Sequence, residues 1–136
     1  SAKKGAFGPA GAQTVLCAAW VPATGSLVTG TSRGMLLEWF GAAVVRSVRL
    51  QSQWPIFAIA VSSEGIAVGG RGGRVMLWPA SASPMDARAA RPVDLGQMAT
   101  GLTDDYGRLR CLLTGDAPCV RALAFARGTL LVVTRA

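Results

Sequence analysis

The sequence predicts an all-β fold: a partial β-propeller, with about two complete four-stranded blades and part of a third. Three observations predict it. One short apolar segment occurs three times along the 136 residues. Two of its copies continue through the same series of turns to a tryptophan. The runs between turns are four to six residues long and rich in Val, Leu and Ile, which is the length and composition of strands and too short for helices.

The first unit opens with VLCAAW at 15–20, turns at PATGS, continues with LVTG and TSRG, and ends in MLLEW. The second opens with IFAIAV at 56–61, turns at SSEG, continues with IAVG and GRGG, and ends in RVMLW. Gly30 aligns with Gly69, Gly34 with Gly73, and Trp39 with Trp78, the tryptophans standing 39 positions apart. After Trp39, AAVVRSVRL reads as a fourth strand carrying Arg46 and Arg49. Four strands in ~40–45 residues is the period of a propeller blade. The first strand of each blade lies nearest the central channel, covered on both faces, so it should be apolar and partly small. VLCAAW and IFAIAV fit this.

A third copy starts at Val120. VRALAF matches the two earlier openings position for position, with Arg121 as the one charged exception, and runs through ARG into TLLVV. The separation from the second opening is 64 residues, against 41 between the first two, so a stretch is inserted. PASASPMDARAARP, small and polar with three prolines, has loop composition and marks that insert. RLRCLLT at 108–114 is then expected as the fourth strand of the second blade. The chain is read as residues 1–136 of one propeller domain: a first blade over about 14–51, a second over about 55–114 with an insert at 79–107, and the start of a third at 120–136. With no initiator methionine and a third unit lacking its later strands, the expectation is a fragment or a processed chain, whose remaining blades come from missing sequence or a partner.

The stretch VGGRGGRVMLW has the appearance of a phosphate-cradling loop or an Arg-Gly-Gly segment. A phosphate loop opens a helix, so that its N–H groups converge on the anion. This one opens a strand. A single Arg-Gly-Gly is not a tract. Gly72 and Gly73 align with Arg33 and Gly34, so the stretch reads as a tight turn that needs positive φ.

Composition narrows the chemistry. Histidine is absent, which removes Ser-His-Asp and Cys-His catalysis and histidine metal ligation from the chain. Cys17, Cys111 and Cys119 are odd in number and form no CxxC pair, so neither a disulfide framework nor a zinc site is indicated. Asp104 and Asp105 are adjacent in TDDYG, a turn-forming context, and point to opposite sides of an extended chain. No catalytic, metal or cofactor residues are assigned, and no enzyme activity is expected. No apolar run reaches the ~20 residues of a membrane helix. The net charge of +7 favours acidic partners and also accompanies Arg-rich codon usage.

In the order of its motifs the chain resembles the echinoderm microtubule-associated protein-like family, whose bodies are tandem WD40-type propellers. The resemblance is carried by Lys3-Lys4-Gly5-Ala6-Phe7-Gly8, by the two units ending in Trp39 and Trp78, by Asp105-Tyr106-Gly107, and by VRALAFARGTLLVVTRA. The Gly-His and Trp-Asp dipeptides of ordinary WD40 blades are replaced here; the blades end in Glu38-Trp39-Phe40 and Leu77-Trp78-Pro79. The resemblance implies a non-catalytic scaffold binding tubulin or a microtubule-associated complex, in the cytoplasm and cytoskeleton, extending to the axoneme of a cilium or flagellum. The alternative is a basic propeller module in a ribonucleoprotein or another protein complex. Single-strand RNA recognition needs exposed aromatics to stack bases, whereas the aromatics here fall mostly at strand positions. Turns after the second and fourth strands share one face of a blade, so Arg33, Arg71 and Arg74 are the candidate partner-binding residues, beside the connection at 51–55.

Overall fold

The computed structural model describes residues 13–50, 53–63, 65–79, 86, 88, 90–93, 110–114 and 119–135. Among them stand eleven strands in three sheets. The first sheet is a meander of β1 (Val15–Val21), β2 (Ser26–Thr31), β3 (Met35–Phe40) and β4 (Ala43–Arg49). The second repeats it with β5 (Ile56–Ser62), β6 (Gly65–Gly70), β7 (Val75–Pro79) and β8 (Arg91–Val93). The third has the order β10 (Cys119–Ala126), β11 (Thr129–Arg135), β9 (Arg110–Thr114). The expected inner strands are therefore β1, β5 and β10, and they pack on one another, β5 lying between the other two.

The turns explain why the chain reverses where it does. Gly25, Gly34, Gly41, Gly72, Gly73 and Gly128 all have positive φ, between 61° and 78°, at strand junctions. That left-handed geometry is nearly free for glycine and costs other residues ~1–2 kcal/mol. The glycine-rich stretch is thus a hairpin turn, with Gly72 and Gly73 both left-handed. Each inner strand also carries a bulge at the same place: between Val15 and Cys17, between Ile56 and Ala58, and between Val120 and Ala122. The repeat read in the sequence extends to this backbone irregularity.

Packing follows the alternation of side chains along each strand. Val21, Val28, Leu36 and Val48 of the first sheet meet Ile56, Ile66, Val68 and Trp78 of the second, with Leu50 and Trp54 of the connecting segment between them. On its other face the second sheet places Ala67, Val75 and Leu77 against Val120, Leu130 and Val132 of the third. β6 is buried along its whole length, which a strand of small residues sandwiched between two sheets requires.

Two strand expectations need correction. The segment at 108–114 is not the fourth strand of the second sheet. β8, from within the stretch read as insert, pairs antiparallel with β7 through Val75–Val93, Met76–Pro92 and Leu77–Arg91. β9 instead pairs with β11, and in parallel, Thr129 opposite Arg110 through Val133 opposite Thr114. Loop composition misled because Pro92 sits on an edge strand, where a missing N–H costs no ladder bond. The two tryptophans hold the same register, Trp39 opposite Leu27 and Trp78 opposite Ile66, yet differ in surroundings. Trp78 is buried between sheets, while Trp39 lies half-buried on the outer side of the first sheet. Residues 3–8 and 104–107, which carry part of the family resemblance, and most of the insert lie outside the described residues.

Candidate partner-binding face

The hairpin turns β2–β3 and β6–β7 are equivalent and lie on one side of the stacked sheets, joined by the connection from the first sheet to the second. In the first turn Thr31 Oγ1 accepts the N–H groups of Arg33 (3.3 Å) and Met35 (3.1 Å) and donates to Gln13 Oε1 (2.7 Å). These bonds fix the backbone that carries Arg33. The Gly34 carbonyl accepts the Leu50 N–H at 2.8 Å, and the chain then passes directly over Gly34. A Cβ on Gly34 would lie 2.7 Å from Gln53 Cα, so only glycine fits below the connection. In the second turn the Gly70 N–H donates to the Arg74 carbonyl at 3.0 Å, and the Arg71 N–H donates to the Pro55 carbonyl at 3.2 Å. A Cβ on Gly70 would fall on that same carbonyl oxygen. Both turns thus grip the segment 53–55, and Arg71 forms a further β-bridge with Cys119 of the third sheet.

Arg33, Arg71 and Arg74 are all exposed on this face. Among the described residues, none of the three has a carboxylate within ion-pairing distance. Beside them a cleft of about 320 Å³ is lined by Trp54, Gly72, Gly73, Arg74, Val75, Met76, Pro92 and Val93. Arg74 beside the apolar side chains of Trp54, Val75, Met76 and Val93 suits an acidic segment with an adjoining apolar side chain. The juxtaposition of Arg33 and Arg71 with the connection was legible from the repeat. The cleft was not, because Pro92 and Val93 of its lining come from β8.

Two further polar arrangements escaped the sequence reading. Glu38 is 4% exposed, accepts a 2.8 Å hydrogen bond from Ser26 Oγ, and faces Arg46 Nε at 3.4 Å. Its place in the second sheet is taken by Leu77, fully buried, so the carboxylate is a feature of one blade only. Arg121, at the bulge of β10, stacks its guanidinium over the Phe57 ring, 4.2 Å from the centroid. Phe57 occupies the corresponding bulge of β5, so the same irregularity in two sheets brings a cation onto a π face. Among the described residues no three His, Cys, Asp or Glu side chains converge as metal ligands.

No family model matches the chain. Among solved structures, it is similar to the β-propeller domain of Myceliophteria thermophila Cps50 (Swd1), with a TM-score of 0.53 and 16% identity. The match covers 82% of this chain and 28% of that one, so the chain spans little more than a quarter of the structure it resembles. At that identity the likeness is one of fold. It supports the β-propeller in the expected resemblance and does not single out the microtubule-associated family. By its fold, the chain is a propeller portion of stacked blades.

Proposed function

We infer that this chain serves as a non-catalytic interaction scaffold, and that the face carrying Arg33, Arg71 and Arg74 receives an acidic protein surface. The observation behind this reading is the gathering of three exposed arginines, lacking carboxylate partners among the described residues, on two equivalent turns held rigid by the 53–55 connection. Rigid placement lowers the entropy lost when a partner docks. The family resemblance makes tubulin, or a microtubule-associated complex, the first candidate for the acidic partner, with a cytoskeletal or axonemal location following from it.

The charges would be screened over ~8 Å at physiological salt, so they act on encounter rate more than on residence time. The test is co-sedimentation of the chain with microtubules, and in parallel with single-stranded RNA, across a salt series. An Arg33→Glu/Arg71→Glu variant with unaltered circular dichroism is expected to lose microtubule association, most visibly at low salt. Unchanged binding by the folded variant removes this face. Binding to RNA alone moves the protein to the ribonucleoprotein reading.

A further inference from the structure

The cleft beside Arg74 is built from the middle sheet and the connection that enters it. Its lining is Trp54 of the connection together with residues of the β6–β7 turn, β7 and β8. Trp54 and Met76 reach it from the core between the first and second sheets, and Val75 and Val93 from the core between the second and third. The cleft therefore sits over the turn end of β7, where the two faces of that strand meet.

Its parts are held in place. The Trp54 ring lies against the Gly70 backbone, where a Cβ would be 2.7 Å from Trp54 Cε3. Trp54 and Val75 are buried, Met76 and Val93 half-buried, and Arg74 exposed. Arg74 runs back along its own turn, with Nε 3.6 Å from where a Cβ on Gly72 would stand. Gly72 and Gly73 carry no side chain, so a partner's main chain can approach this turn closely. The volume of about 320 Å³ stands at the low end of the ~300–1,000 Å³ of ligand pockets, which suits a single large side chain better than a cofactor. Charge selects the neighbours of that side chain. Arg71 and Arg74 flank the turn, and among the described residues neither has a carboxylate within ion-pairing distance.

We propose that this cleft takes one large apolar side chain, of the size of phenylalanine, from an acidic peptide segment of a partner protein, with the carboxylates on either side of that side chain meeting Arg71 and Arg74. The inference rests on the acidic-partner reading and deepens it: the arginines attract the segment, and the cleft selects which acidic segment stays. The two contributions separate physically. Attraction between exposed charges is screened by salt, whereas burial of an apolar side chain against Trp54, Val75, Met76 and Val93 is not.

Fluorescence anisotropy of the full chain with two labelled probes tests it. Both are short peptides of glutamate and aspartate, identical in charge, one with a central phenylalanine and the other with a central alanine. The phenylalanine peptide is expected to bind roughly 10-fold more tightly or better. Raised salt should weaken both peptides and leave the ratio between them standing. Pro92→Trp fills the cleft from an exposed position without changing charge, and should bring the two peptides to equal affinity while keeping the binding of the alanine peptide. If that variant lacks native circular dichroism, Val93→Phe takes its place. Equal binding of both peptides by the unaltered chain overturns the cleft and leaves the acidic-partner reading intact. Binding of neither peptide overturns both. A phenylalanine preference that survives in the folded, filled variant also overturns the proposal, because the side chain is then held elsewhere.

Discussion

Gly30 lies so close to Ile56 that a Cβ at position 30 would be 2.5 Å from Ile56 Cγ2. The equivalent Gly69 stands in the same relation to Val120, 2.6 Å from its Cγ1. In both places a glycine of one blade's second strand admits the first inner residue of the next blade. Neither glycine has positive φ, so contact and not turn geometry demands it. Gly30→Ala and Gly69→Ala should each destabilise the chain by about 1–3 kcal/mol through overpacking. Gly41→Ala meets nothing within 4 Å and should cost only the ~1–2 kcal/mol of its left-handed backbone. Urea unfolding midpoints of the three variants check this. An effect well below about 1 kcal/mol at 30 or 69 would contradict it.

The paired tryptophans make the next case. Trp39 Nε1 donates to Thr29 Oγ1 at 3.0 Å, whereas Trp78 Nε1 donates to the Asp86 carbonyl at 2.9 Å. The difference has a local cause: the residue matching Thr29 in the second sheet is Val68, which offers no acceptor. Thr29→Val should therefore leave an indole N–H without this partner and cost about 1–3 kcal/mol. Asp86→Ala keeps the backbone carbonyl and should change stability by less than about 1 kcal/mol.

Glu38 is the buried charge of the first blade. Since Leu77 fills the same place in the second, Glu38→Leu is expected to be tolerated, within about 1 kcal/mol of the parent or more stable. Ser26→Ala withdraws the hydroxyl donor while leaving the carboxylate in place, and should cost about 1–3 kcal/mol. Chemical denaturation of both variants distinguishes the two directions.

Cys17 supplies a pH prediction. Burial pushes its thiol up from 9.0 to about 11, against a smaller downward pull from the Gly30 backbone hydrogen bond. The thiol also donates to the Ile56 carbonyl at 3.4 Å, across the sheet junction. The folded state prefers the neutral thiol, so this group's stabilisation is complete below the unfolded value of 9.0 and is lost as pH rises toward about 11. Urea midpoints should fall over that window in the parent and fall less in Cys17→Ala. Alkylation of Cys17 near neutral pH should be slow in the folded chain and fast in urea.

β9 pairs in parallel at the open edge of the third sheet, where β3 and β7 occupy antiparallel positions in the other two. Parallel pairing is the weaker per residue, and among the described residues β9 has a partner on one side only. Backbone amides at 110–114 should exchange with solvent well before those of β2, β6 and β11. Protection of β9 equal to that of β6 would count against this placement.

The repeat is legible in the residues and, with it, the three inner strands, the glycine turns and the equivalence of Trp39 with Trp78. Each is written in local chemistry: apolar alternation, short runs between breakers, and glycine where φ must be positive. The positions of Arg33 and Arg71 beside the connection also followed, because the repeat carries its turns to one edge. The rest depends on contacts between distant parts of the chain. Arg91–Val93 is too short and too proline-marked to announce a strand, and it becomes one only because β7 offers a free edge. The direction of β9 is set by which edge it finds, since a strand's own residues do not choose parallel or antiparallel pairing. The need for glycine at 30 and 69 comes from side chains 26 and 51 positions further along, at Ile56 and Val120, and no local pattern can register so distant a contact.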